Sequence, residues 1–335
     1  GKTPMKALVT GGGGFLGRYI VEQLIDRGDS VHVLARSSYP ELKKIGVDLV
    51  QGNIEIKDNV LDACRGVDIV FHTAAKVGVF GRYNDFYKSN VVGTQNIIES
   101  CLLAGIPKLV FTSSSSVAYG GEDQVNVDET IPYPKKYLSP YSETKAIAER
   151  LVLGANGANL CTVSIRPHLI FGPRDKYIIP AILKKAKDGT LRIMGDGKNL
   201  TDVSYVENCA EAHLLAADHL KKGSPLCGQA YYITQGKPVV LWEWVNRILR
   251  EMGMPPVQKH ISSKTAYAIA AIFETIYRIF QISKEPPLSR VVVRQLATTH
   301  TYNISKAKRD FGYVPKISTE EGLAKTFRYL KLYKL

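Results

Sequence analysis

The run Lys6-Ala7-Leu8-Val9-Thr10, followed at once by Gly11-Gly12-Gly13-Gly14-Phe15-Leu16-Gly17, constrains this chain more than any other segment. The first five residues read as a short buried strand. After the glycines, Ile20, Val21, Leu24 and Ile25 recur at helical spacing, so an amphipathic helix follows. Strand, glycine loop and helix in that order open a βαβ unit that cradles a dinucleotide. The glycines fall at Gly11, Gly14 and Gly17, a GxxGxxG spacing rather than GxGxxG. The physical need is the same. The chain must turn tightly, let a pyrophosphate approach bare backbone, and aim a helix N-terminus at its charge. Phe15 and Leu16 belong to this candidate cofactor-binding set.

Strand-like apolar runs continue at Val31–Leu34, Leu49–Gln51, Ile69–Thr73, Lys108–Thr112 and Cys161–Arg166. Helical patterns lie between them at Leu16–Arg27, Asn59–Cys64, Tyr83–Ala104 and Tyr141–Asn156. This alternation predicts an α/β fold, a doubly wound parallel Rossmann sheet with helices on both faces. The expected organisation is a dinucleotide-binding domain over residues 5–172 and a mainly substrate-binding lobe over 173–335. Beyond Pro173 the pattern is too irregular to continue the sheet.

In such a sheet ligands bind beyond the C-terminal strand ends. Those ends carry Gly11–Gly17, Ala35-Arg36-Ser37, Asn53-Ile54, Ala74-Ala75-Lys76, Ser113-Ser114 and Pro167-His168. Where an acidic residue would accept hydrogen bonds from an adenosine ribose, this chain has Ala35, and Arg36 follows. A guanidinium binds a 2′-phosphate that a carboxylate repels. The pair therefore predicts NADP(H), with Arg36, Ser37, Asn53, Ile54, Ala74 and Ala75 as cofactor contacts.

Tyr141-Ser142-Glu143-Thr144-Lys145 follows a serine run at Thr112–Ser116. On a helix Tyr141 and Lys145 share a face. A fixed ammonium beside a phenol favours the phenolate and lowers its pKa. With a hydroxyl delivered from the serine run, the set moves a proton on and off a carbinol oxygen.

The remaining composition is that of a soluble enzyme. Lys and Arg number 44 against 31 Asp and Glu, a formal charge of +13. No nucleic-acid module or basic-aromatic array accompanies that charge, so it reads as a solvated surface attractive to anionic ligands. Five widely spaced cysteines without a CxxC pair predict a reducing compartment, here cytoplasmic, and no metal site. No secretory segment is recognised, and no apolar run reaches the roughly 18 residues of a bilayer span.

Thr10–Gly17, His72-Thr-Ala-Ala75, Asn90-Val-Val-Gly-Thr94, Tyr141–Lys145 and Arg166-Pro-His-Leu-Ile-Phe-Gly-Pro173 occur in the order seen in extended short-chain dehydrogenases/reductases. The segment Gly195–Asn208 is similar to the 3β-hydroxysteroid dehydrogenase branch. Phe71–Gly78, Asn90–Asn96, Lys264–Tyr267, Pro286–Arg290 and Asp310–Pro315 most resemble the bacterial 2-alkyl-3-oxoalkanoate reductases of long-chain olefin biosynthesis. That resemblance implies Ser114, Tyr141 and Lys145 as the catalytic set, Asn90 as support for the proton relay, and Pro167 beside the nicotinamide. It implies NADPH-dependent reduction of a hydrophobic 2-alkyl-3-oxoalkanoate, reversibly, and by family analogy a homodimer. The alternatives are a 3β-hydroxysteroid or C4-carboxysterol dehydrogenase, a nucleotide-sugar epimerase and a non-enzymatic NADP-binding sensor. Asn199-Leu200-Thr201-Asp202 offers no cation where sugar-nucleotide enzymes often place an arginine. Arg174, Lys176 and Lys76 are candidate partners for a substrate carboxylate. Residues 266–280, rich in Ile, Phe and Tyr with Glu274 and Arg278 as a narrow charged stripe, form either a buried core helix, a lid over an apolar tunnel, or a contact with a membrane surface or pathway enzyme.

Overall fold

Seven strands lie side by side in the order Gln229–Ile233, Cys161–Pro167, Lys108–Thr112, Ile69–His72, Lys6–Thr10, Ser30–Ala35 and Asp48–Gln51 in a computed structural model that describes residues 3–333. All six pairings are parallel. Parallel strands need helical crossovers, which cover both faces, so the inner strands are apolar almost throughout. Ile69–His72 and Cys161–Pro167 are buried at every position. The predicted strands match these to within a residue at most ends.

The chain leaves Lys6–Thr10 in one direction, through Ser30–Ala35 and Asp48–Gln51, then crosses to its other side at Ile69–His72. That reversal opens a crevice beyond Thr10 and His72. Side chains stitch its two walls together. Thr10 Oγ1 lies 2.7 Å from His72 Nδ1, and the Thr73 hydroxyl donates to the Thr10 carbonyl at 2.6 Å. Gly11 turns the chain at φ +69°, and a Cβ on Gly17 would come within 2.1 Å of the Gly11 carbonyl oxygen. Only glycine permits that approach.

Two expectations need correction. The chain beyond Pro173 does not leave the sheet, because Gln229–Ile233 pairs with Val163–Pro167 as its edge strand. Helix Val206–His219 also packs against Phe15–Asp26. A division at residue 172 therefore cuts through the sheet layer. A four-stranded sheet crosses the same boundary, joining Val239–Val240, Leu200–Thr201 and His300–Tyr302 to Gln124–Val127.

The second correction concerns the apolar helix, which spans Ser263–Ile279 and is no buried core helix. Its buried residues are Ala266, Ala270 and Glu274, whereas its isoleucines are exposed. Of the charged stripe, Glu274 thus points inward while Arg278 stays exposed. Among the described residues no helix is long and apolar enough to cross a membrane, and all five cysteines are free thiols.

Candidate active site

Helix Pro140–Gly154 positions the site. It begins at Ser139, whose hydroxyl accepts from the Ser142 N–H, and Pro140 suits the first helical position. Tyr141, Lys145 and Glu149 then follow at intervals of four on one face. Ser114 is the side chain beside Tyr141 that favours its phenolate form. Lys145 Nζ donates to the Thr112 carbonyl at 2.6 Å and sits 4.3 Å from the centre of the Phe111 ring. Glu149 accepts from Ser164, from the Arg166 Nε and Nη2, and from the Tyr133 hydroxyl, at 2.6–2.9 Å.

The serine run separates into distinct tasks. Ser114 both caps the short turn Ser115–Ala118 and meets Tyr141. Ser116 Oγ lies 2.9 Å from Ser114 Oγ. Ser115 Oγ lies 2.7 Å from His168 Nδ1, and the Ser113 hydroxyl is buried. Asn90 sits in a π-helical turn, Tyr87–Val92, within what the sequence suggests is one regular helix from Tyr83 to Ala104. A widened turn redirects one side chain inward. Asn90 Oδ1 accepts from the Lys76 N–H at 2.8 Å, and its Nδ2 donates to the Lys76 carbonyl (3.2 Å) and to Thr144 Oγ1 (3.0 Å). It therefore ties the segment after Ile69–His72 to the helix that carries Tyr141.

Electrostatics depart from the expectation at one point. Lys145 was to lower the Tyr141 pKa, but its ammonium is turned to Thr112 and Phe111. Burial instead pushes Tyr141 above its ordinary value, opposed by Ser114, with Tyr177 adding to the rise. Burial also brings Lys145 down to about 7, with Glu149 working against that fall. The two groups thus stand further apart in acidity than free Tyr and Lys, which both titrate at about pH 10.

The nucleotide-facing residues fit a dinucleotide. The helix Phe15–Asp26 starts at Gly14 with no side-chain cap and no acid in its first turn, so its N–H groups are free for phosphate. Tyr39 lies over Gly13, where a Cβ would meet the ring at 2.2 Å. Arg36 and Ser37 are exposed at the end of Ser30–Ala35, and Arg36 has no ion-pair partner among the described residues. The Asn53 Oδ1 accepts from Glu55 N–H at 3.0 Å, and Ile54 packs on Gly93. Ala74 N–H donates to Thr10 Oγ1 at 3.2 Å, with Ala75 next along the same strand end, and Pro167 ends its strand opposite Ile233.

Of the cations suggested for a carboxylate, Arg174 is committed elsewhere. It forms a bidentate pair with Glu22 at 2.7 and 2.8 Å and covers the Tyr19 ring. Lys176 is exposed, and Lys76 lies over Phe86. Sequence reasoning missed Glu149 and Thr144. Their signal was position: Glu149 continues the four-residue spacing from Tyr141 and Lys145.

The geometry of this site is matched by kinship. A family model, 3-beta hydroxysteroid dehydrogenase/isomerase, matches residues 8–262. The chain belongs to that family. It is 46% identical over 322 residues to a 2-alkyl-3-oxoalkanoate reductase of Stenotrophomonas maltophilia, covering 95% of this chain and 97% of that protein. It is 36% identical to the decarboxylating sterol-4-alpha-carboxylate 3-dehydrogenase of Mus musculus, over 96% of this chain and 90% of that one. Among solved structures it resembles MoeE5 in complex with UDP-glucose and NAD, at TM-score 0.75 and 26% identity, covering 98% of this chain and 100% of that one. The protein is therefore an NAD(P)-dependent oxidoreductase on an extended short-chain dehydrogenase/reductase fold.

Buried imidazoles make this fold acid-sensitive. Burial holds His72 down to about 3 and both His213 and His300 down to about 4. The unfolded chain protonates these groups near pH 6.5, so it binds more protons than the folded one between about 6.5 and 4. Their contribution is complete above about pH 6.5 and is lost as pH falls towards about 4. Asp202, raised to about 6 by burial, works in the opposite sense from its unfolded value up to about 6 and offsets part of it. The melting temperature is expected to fall between about pH 7 and pH 5. His213→Gln should make the fall shallower. A melting temperature that stays flat over this range would refute the account.

Proposed function

We propose that the protein reduces the ketone of a hydrophobic 2-alkyl-3-oxoalkanoate to the 3-hydroxy acid, reversibly, with NADPH. The observation that carries the chemistry is the Ser114–Tyr141 hydroxyl pair set beside the buried Lys145 at the sheet's C-terminal edge. The substrate class rests on the 46% identity to a 2-alkyl-3-oxoalkanoate reductase across nearly the whole of both chains.

Gly11, Gly14, Phe15, Leu16 and Gly17 would hold the pyrophosphate, Arg36 and Ser37 the 2′-phosphate, and Asn53 and Ile54 the adenosine end. Ala74, Ala75 and Pro167 would border the nicotinamide, and Lys145 its ribose. When bound, the reduced nicotinamide supplies the hydride. Ser114 donates a hydrogen bond to the ketone oxygen and polarises it. Tyr141 gives its proton to that oxygen as negative charge develops there. Lys145 favours the phenolate left behind once its ammonium is aligned with the ribose and ring. Asn90 keeps the Lys76 segment and Thr144 fixed to the Tyr141 helix, so the donor does not drift from its target.

Oxidation of a C4-carboxysterol is a second reading, favoured by the 36% identity to the mouse sterol enzyme, and would use the same groups in reverse. Sugar-nucleotide chemistry fits less well. A diphosphate needs a cationic clamp, whereas the corresponding segment places a buried Asn199 and a buried Asp202.

The deciding measurement is kcat/KM for a 2-alkyl-3-oxo acid against a 3β-hydroxysteroid and a UDP-sugar. The oxo acid is expected to be the best of the three. A steroid turned over more efficiently would overturn the substrate and leave the catalytic set standing. On that substrate Tyr141→Phe should lower turnover by about two to four orders of magnitude with nearly native NADPH binding. Near-native turnover in this variant would place the proton donor elsewhere.

The cofactor preference has its own test. Arg36→Ala should weaken NADPH binding about tenfold or more, the loss of one charge-assisted contact set, and leave NADH within about twofold. Equal losses for the two cofactors would sink the NADP assignment.

A further inference from the structure

The helix Ser263–Ile279 carries its polarity inside out. Its acid, Glu274, is 5% exposed and accepts from the Arg290 N–H at 2.8 Å and Nε at 2.6 Å. Arg290 and Arg294 in turn lie over the Tyr267 ring. Rolling the helix to bury its isoleucines would break this set and strand a carboxylate. The opposite face is therefore held in solvent. There Ile269, Ile272, Ile276, Ile279 and Phe280 are 37%, 60%, 40%, 68% and 72% exposed. The four isoleucines recur at intervals of three and four and Phe280 follows the last, so they form one continuous stripe. The other exposed residues on that face are Thr265, Ala268 and Thr275, so no charge interrupts it.

Cations line the stripe. At 100° per residue, Lys264 and Arg278 fall along one edge of it, and exposed Lys284 follows just past its end. Arg278 reaches Glu274 only at 3.9 Å and keeps 65% of its side chain exposed. The neighbouring acid, Glu285, accepts from the Val79 N–H at 3.1 Å. A long uncharged stripe edged by lysine and arginine, on a chain of net charge +13, is complementary to an anionic lipid surface.

We propose that this stripe docks the protein on an anionic phospholipid bilayer. The helix lies in the plane of the interface, with Ile272, Ile279 and Phe280 among the acyl chains and Lys264, Arg278 and Lys284 at the phosphates. The end of the stripe adjoins the loop 76–81, since the Tyr277 and Phe80 rings meet edge to face at 6.2 Å. That loop leads to Lys76, which Asn90 clamps at the active-site edge. A ketone dissolved in the bilayer would enter along it. This entry route rests on the proposed function, whereas the docking does not.

The test is co-sedimentation of the full chain, without cofactor or substrate, with vesicles of phosphatidylcholine alone or mixed with phosphatidylglycerol. Binding is expected to the mixed vesicles, weaker to phosphatidylcholine alone, and reduced by added salt. The double variant Ile272→Glu/Ile279→Glu should bind at least about tenfold more weakly while melting as the native protein does. Native protein that stays in solution with both vesicles overturns the proposal, as does native-like binding by the double variant. A native dimer in vesicle-free solution that the double variant converts to monomer also overturns it, assigning the stripe to contact between copies. Because no turnover is measured, failure here leaves the ketone reductase reading intact, and loss of that reading leaves the docking intact.

Discussion

Three side chains on one face of helix Pro140–Gly154 set the geometry on which the site depends. Tyr141, Lys145 and Glu149 stand one turn apart, and each reaches a different strand-end group: Ser114, the Thr112 carbonyl, and Ser164 with Arg166. The helix is thereby pinned to two neighbouring strands, Lys108–Thr112 and Cys161–Pro167, whose register is fixed by their own ladder. A one-residue slip would turn all three groups off the face together. The buried ion pair of Glu149 and Arg166 is the anchor. Burying both charges is costly, and removing either partner would leave the other unpaired, so the pair holds one arrangement more than it adds stability.

Thr112 shows how closely these constraints are shared. Its carbonyl accepts from Lys145, and its hydroxyl lies 2.8 Å from His213 Nε2 on helix Val206–His219. That helix also packs on Phe15–Asp26, which opens the glycine loop. The Tyr141 helix and the glycine loop therefore hang on one continuous sheet layer. Residues far apart in sequence need no flexible linkage to meet there. A lysine held by a carbonyl and an aromatic face, with no carboxylate in contact, loses part of its preference for the charged form. Such an ammonium gains most from any further acceptor brought against it.

Much of this was legible from the chain alone. Six of the seven strands end within one residue of the apolar runs that announced them, because strands buried on both faces leave little ambiguity of period. The glycine loop and the Tyr141–Lys145 pair were legible for the same reason, each being local and short. What escaped was relational. Gln229–Ile233 lies some sixty residues beyond its partner, and a five-residue apolar run there does not say which edge it will join. The π turn around Asn90 has the same composition as the regular helix on either side of it. Glu149 looked like any surface helix acid until Arg166 came to meet it. The helix Ser263–Ile279 misled most, since its pattern shows a stripe and a counter-stripe but not which of them the rest of the fold will take.

That last ambiguity bears on how one scaffold serves different substrates. The chain shares its overall shape with a protein solved in complex with UDP-glucose and NAD, and its sequence far more closely with oxoalkanoate and sterol enzymes. Fold alone does not choose between them. The sheet edge and the Tyr141 helix present the same proton chemistry to any carbonyl delivered there. Beyond Pro173 the chain adds a more irregular part. In this chain that part places a buried carboxylate at Asp202, fixed by the Tyr302 N–H at 2.7 Å, and turns an uncharged helix face outward beside the loop 76–81. A carboxylate repels a diphosphate, and an apolar face offers it no donors. Both features stem from which way buried acids were paired rather than from the sheet beneath them.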